Sequence, residues 1–242
     1  MNYKNLHPWD VDPNQAIQIQ KQLRDQLILQ KTQEIYRRIA GADVSYDKGS
    51  DILYAAVVVL ELPNLQIIEE ASAVGRSTFP YIPGLLVFRE APILLKAFEK
   101  IHQEPDVIMF DGQGIAHPRG IGIASQMGLW LDKPCIGCAK SKLFGDYREA
   151  DLGPKAGSYT PLTYRGKIIG AVLRTRDNVS PVFVSAGHKI DLATSIELVL
   201  KSCQGYRIPE PTRQAHNLVN KIRVEGNRSP KAPGGAQMDL FG

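Results

Sequence analysis

The chain has 242 residues, and no apolar run in it approaches the length that crosses a bilayer, so no membrane partner is expected. Its opening stretch, MNYKNLHPWDVD, lacks a basic segment followed by an apolar core, so it does not read as a signal peptide. Cysteine is scarce, with three residues, an odd number. Cys135 and Cys138 form a C-x-x-C, but no second such pair exists to complete a zinc site. The segment KPCIGCAKSKL reads as a strand, in which positions three apart face opposite sides of a sheet. Buried thiols in a reducing, cytoplasmic setting are therefore expected. There is no internal repeat. The glycine-rich GQGIAHPRG lacks a third glycine at the spacing that a dinucleotide-binding fingerprint needs.

The length suits one sizeable α/β domain. The net charge of +4 permits a nucleic-acid partner without requiring one. Basic residues outnumber acidic ones from Lys140 to Arg176, and Arg213, Lys221, Arg223, Arg228 and Lys231 follow. On charge alone this is either a phosphate-facing surface or a solvated face.

Residues 14–38 contain no glycine or proline and predict a long helix, with Asn14 as its N-cap. Three β-branched runs follow at 39–47, 51–62 and 65–76, separated by the turn signals KGS and PN. Such short links favour antiparallel neighbours. Then come a Pro/Gly/Tyr loop at 79–84, a helix over 86–102, a strand at 106–111, a helix at about 119–131 and a strand at 134–139. A longer loop region leads to strands at 167–175 and 180–186 and to helices near 191–203 and 210–225. The pattern predicts a mixed sheet with helices packed on its faces. Residues 1–226 are expected to form the domain, and the Pro/Gly-rich stretch 227–242 a flexible tail.

Three carboxylates occupy awkward places. Asp43 lies inside the first strand between Ala42 and Val44, Glu90 near the start of a helix, and Asp111 at the end of the fourth strand. In a mixed sheet the first and fourth strands can be neighbours, and a helix across them could add Glu90. Carboxylates so close raise one another's pKa unless positive charge lies among them, and Mg²⁺ or Mn²⁺ would supply it. Each acid also has a plain structural use: accepting backbone N–H bonds, facing a helix N-terminus, or capping a turn.

Six blocks in order carry a resemblance: IAGADVSY (39–46), YIPGLLVFREAP (81–92), PDVIMFDGQGIAHPRGIGIAS (105–125), CIGCAKSKL (135–143), VSAGHKIDL (184–192) and GYRIPEPTRQAH (205–216). With them the chain resembles the endonuclease V family, the deoxyinosine-directed DNA repair nucleases, over residues 8–226. The resemblance implies an α/β, ribonuclease H-like mixed sheet with helices on both faces. It implies metal binding by Asp43, Glu90 and Asp111, with Mg²⁺ as cofactor and Mn²⁺ as substitute. His216 would complete or support the site, and Lys140 would be the catalytic-site lysine. It implies a pocket for a flipped-out hypoxanthine base around Gly84, Leu86, Gly112, Gly114, His117 and Gly122. The glycines could equally serve tight helix–strand packing. The loop Pro80, Tyr81, Ile82, Pro83 would be the strand-separating wedge, with Tyr81 and Ile82 at its tip. Gln113 and Gln126 stand where many members carry histidine.

The implied activity is nicking of DNA at the second phosphodiester 3′ to deoxyinosine, using metal-activated water and leaving 3′-hydroxyl and 5′-phosphate ends. The substrate would be double- or single-stranded deoxyinosine DNA. Inosine RNA and a catalytically silent binding protein are the alternatives. The C-terminal QMDLF, with Gln237, Leu240 and Phe241, resembles the short peptide by which bacterial repair proteins bind the sliding clamp. A monomer is expected.

Overall fold

The computed structural model describes residues 1–228, with side chains to residue 226. Its centre is an eight-stranded sheet. The strands are β1 (Arg38–Ser45), β2 (Ile52–Glu61), β3 (Gln66–Arg76), β4 (Val107–Phe110), β5 (Cys135–Ala139), β6 (Tyr159–Tyr164), β7 (Lys167–Leu173) and β8 (Val182–His188). Their order is β3-β2-β1-β4-β5-β8-β7-β6. β1, β2 and β3 form the expected antiparallel meander, while β4 and β5 run parallel to β1. The remaining pairs, β5 with β8, β8 with β7 and β7 with β6, are antiparallel.

The strand period of two sorts the apolar residues onto two covered faces. Leu53, Ala55, Val57 and Val59 of β2 pack on one side with α2 (Leu86–Phe98) and α3 (Ile123–Leu131). Val58 and Leu60 face the other side, where α4 (Leu192–Lys201) and α5 (Glu210–Arg228) lie. With both faces covered, β2 is an almost unbroken apolar run. Cys135 joins the first cluster and Cys138 the second, so the C-x-x-C pair points to opposite faces and both thiols are free and buried. Burial pushes both thiols up, so neither is a thiolate at neutral pH.

Three expectations are corrected. The N-terminal helix, α1, spans only Pro13–Arg24, and its N-cap is Asp12, not Asn14. The Asp12 carboxylate accepts from the N–H groups of Asn14 and Gln15, and Pro13 takes the first helical position. Beyond Arg24 the chain is captured by tertiary partners: Ile28 N–H donates to His188 Nδ1, and the Arg37 and Arg38 N–H groups donate to Asp106. The region read as a long loop contains β6, and Pro161 within it is tolerated because β6 is an edge strand. α5 continues to Arg228, so the first two residues of the expected tail are helical. The QMDLF segment lies outside the described residues. Among the described residues no helix is long and apolar enough to cross a membrane.

Candidate active site at the ends of the parallel strands

β1 and β4 are parallel and in register, with Ala42 opposite Phe110. The next residue on each strand is a carboxylate, so the register itself sets Asp43 beside Asp111. α5 supplies the third group. It lies so tightly on β1 that a Cβ at Gly41 would sit 1.8 Å from the Pro211 carbonyl oxygen, a contact only glycine allows. That approach delivers His216, whose Nδ1 is 2.8 Å from Asp43 Oδ2. Asp43, Asp111 and His216 each offer a ligand atom, and these atoms all lie within 4.8 Å of one another.

Lys140 follows the last residue of β5, the strand next to β4, and its Nζ is 2.5 Å from Asp111 Oδ2. Burial raises the Asp111 pKa, while the Lys140 hydrogen bond pulls it back. Glu90 projects from the second turn of α2 and is buried. Its pKa is pushed up to about 8, first by burial and then by the charge on Asp43. Glu90 lies outside the tight triad but within the field of both other carboxylates. Asp43, Asp111 and His216 thus come together from three separate elements, and Glu90 of a fourth lies near enough to feel both carboxylates.

A cavity of about 150 Å³ opens beside Asp111, which forms part of its wall. Gly84, Leu86, Gly112, His117 and Gly122 line it, as do Tyr81 and Pro83 of the loop. Gly114 does not. The space its side chain would take is filled by β8, with the Ala186 carbonyl 2.1 Å from an ideal Cβ, and its N–H donates to Ser185 Oγ. At that position the tight-packing reading of the glycines applies. Ile82 also departs from expectation, since it packs against the core, whereas Tyr81 is 61% exposed. A larger cavity of about 430 Å³, between residues 31–36 and α4, is lined by none of the clustered carboxylates.

Three functional candidates were not read from the sequence. Gln20 of α1 is fully buried and lines the small cavity. Its Nε2 lies 3.2 Å from the Gly84 carbonyl, which also receives Arg119 Nη2 at 2.5 Å and His117 Nε2 at 3.0 Å. Burial holds the His117 pKa down to about 4, so the ring is neutral at pH 7. Its Nε2 then carries the proton toward Gly84 and its Nδ1 accepts the Arg119 N–H. Nε2 thus braces the Gly84 turn, and Nδ1 is occupied within its own loop. The signal for Gln20 was available: Ala16, Gln20 and Leu23 form one buried stripe, and a glutamine there needs partners. Asn220 lies one turn beyond His216 and places Nδ2 3.0 Å from its Nε2. Ser45 Oγ donates to Asn220 Oδ1, which fixes the amide so that Nδ2 faces the histidine.

Gln113 and Gln126 are both buried. Gln113 lines the cavity and donates to the Ser141 carbonyl, whereas Gln126 contacts His7, away from the carboxylates.

The endonuclease V family model matches residues 21–217. Endonuclease V of Gloeobacter violaceus is 48% identical over 220 residues, covering 90% of this chain and 89% of that protein. The crystal structure of the Streptomyces avermitilis endonuclease V superposes with a TM-score of 0.85 at 40% identity, covering 90% of this chain and 96% of that one. The Ciona intestinalis endonuclease V has a TM-score of 0.78 at 26% identity, covering 88% and 98%. Its structure is a complex with a 24mer DNA containing an inosine followed by a ribo-adenosine. The sheet and its helices have the ribonuclease H-like fold of these structures.

Proposed function

The chain belongs to the endonuclease V family, and we propose that it is a metal-dependent endodeoxyribonuclease that recognises deoxyinosine and nicks at the second phosphodiester 3′ to it, leaving 3′-hydroxyl and 5′-phosphate ends. One observation carries this reading: Asp111 belongs both to the Asp43–Asp111–His216 cluster and to the wall of the cavity. Hydrolytic chemistry and a base-sized recess share a side chain. The complex of the Ciona relative with inosine-containing DNA supports the choice of base.

Two carboxylates and an imidazole within 4.8 Å suit Mg²⁺ or Mn²⁺. Asp43, Asp111 and His216 would hold the ion, and Glu90 would add negative charge behind them. When bound, such an ion lowers the pKa of water and stabilises the leaving oxygen of a phosphodiester. Lys140 lends positive charge to the scissile phosphate as charge develops there. Asn220 keeps His216 turned toward Asp43 through its hydrogen bond. Tyr81 enters the base stack, and the backbone around Gly84, Gly112 and Gly122 reads the edge of the extruded base. The neutral His117, with both nitrogens occupied, serves as a wall of that recess.

A gel experiment tests the reading. An end-labelled duplex with one deoxyinosine is incubated with Mg²⁺, with Mn²⁺ and with chelator, beside an unmodified duplex. A single metal-dependent cut on the 3′ side of the inosine is expected. Cutting of both duplexes alike, or cutting in chelator, overturns it. The ribo-adenosine in the Ciona complex makes inosine RNA the second reading. Matched DNA and RNA strands bearing one inosine separate the two, and inosine binding with no product in any metal leaves a silent binder.

A further inference from the structure

A second surface continues from the cavity onto the β6–β7 hairpin. Leu143 lines the cavity and is 45% exposed. Its neighbour Phe144 packs on Tyr164 with ring centroids 4.4 Å apart, and the Arg165 guanidinium lies 5.2 Å from the Tyr164 ring centre. Asp146 and Thr163 exchange backbone hydrogen bonds of 2.8 Å, which tie this loop to the hairpin. Tyr164, Arg165, Lys167 and Ile168 are all exposed.

Basic residues dominate here, and the one carboxylate on the adjoining loop, Asp146, lies 4.0 Å from Lys142 Nζ. From Leu152 to Arg176 there is no carboxylate, and there are five cations. Lys155 pairs with Asp177, and Arg174 donates to the Gly153 carbonyl. Arg165 and Lys167, at the hairpin tip, form no ion pair among the described residues. Nor does the turn explain the arginine. Tyr164 pairs with Lys167, leaving Arg165 and Gly166 as a two-residue loop with φ of 48° and 74°. Such a loop selects Asn-Gly, and an arginine must carry its Cβ into the left-handed region.

We propose that the tip of the β6–β7 hairpin, with Phe144 and Tyr164, docks the phosphodiester backbone of the nucleic-acid strand flanking the base held in the cavity. Arg165 and Lys167 neutralise phosphates without reading sequence, and the Tyr164 ring steadies the Arg165 guanidinium. This rests on the nuclease reading above.

The test uses Arg165→Asn in the full chain, because asparagine suits the turn better than arginine and removes only the cation. The variant is expected to melt at or above the wild-type temperature. On a 30-base-pair deoxyinosine duplex with Mg²⁺, its KM should rise severalfold with kcat unchanged. The slope of log affinity against log salt for an unmodified duplex should shrink by about 1. Unchanged KM and salt slope overturn the proposal, and so does a KM rise accompanied by a lower melting temperature. If the wild-type protein does not cut inosine substrates, the nuclease reading fails. The hairpin is then judged by the salt slope on unmodified duplex alone.

Discussion

Lys140 Nζ stands 2.5 Å from Asp111 Oδ2, each residue directly following one of two adjacent parallel strands. The pair holds a cation at the rim of a carboxylate cluster. Lys140→Met should therefore leave inosine binding nearly intact while lowering the single-turnover rate by ~100-fold, the scale of losing one charge-stabilising donor. Equal losses in binding and rate would reduce Lys140 to a structural partner of Asp111.

Asp43→Ala and Asp111→Ala should abolish cutting and retain binding to inosine DNA, since neither removes the recess or the loop. Gel shift and gel cleavage on the same protein preparation give both numbers. Wild-type cutting by either variant would show that the cluster is not the reacting centre.

Glu90 connects pH to metal. Its folded pKa of about 8 exceeds the ordinary carboxylate value, so the stability it contributes is present below about pH 4.5 and is lost as pH rises through 8. A divalent cation held by the ionised cluster would offset that loss. The Mg²⁺- or Mn²⁺-induced rise in melting temperature should be larger at pH 8.5 than at pH 6, and absent in Asp43→Ala. A metal shift that is the same at both pH values would dissociate Glu90 from the metal site.

Two buried imidazoles set an opposite, acid-side dependence. Burial depresses both His117 and His188 to about 4. Between that value and ~6.5, where an unfolded histidine titrates, the unfolded chain binds more protons. Their stability is thus complete above pH 6.5 and is lost as pH falls toward 4, by up to roughly 3 kcal/mol each. Urea midpoints from pH 7 to 4.5 should fall, and His117→Gln should flatten part of that slope. A flat wild-type profile would contradict it.

Tyr81 is the exposed tip residue, so Tyr81→Ala should not alter folding. It should slow cutting of a deoxyinosine duplex far more than of the single strand, because only the duplex must be unstacked at a cost of a few kcal/mol. Equal slowing on both substrates would remove the wedge role.

Much of this was legible because it depends on local rules. Period-two apolar runs and short turns gave the meander, and the acids at strand ends marked the cluster. Where reading failed, local preference met a tertiary competitor. Residues 25–37 have a helix-permissive composition, yet His188 takes the Ile28 N–H and Asp106 the Arg37 N–H. Gly114 looked like a pocket glycine until Ala186 filled its side-chain space. Ile82 and Tyr81 look alike in sequence as wedge tips, and only packing on the core distinguishes them.

The sequence by itself determined the alternation of strands and helices, the family, and which acids stood where acids are costly. Those are properties of residue type and spacing along one chain. The tertiary structure alone decided that Asp43 and Asp111 are neighbours, that His216 rather than Glu90 completes the tight triad, and that Gln20 and Arg119 brace Gly84. Those contacts join residues far apart in the chain, and they depend on strand register and helix approach, which local sequence patterns do not encode.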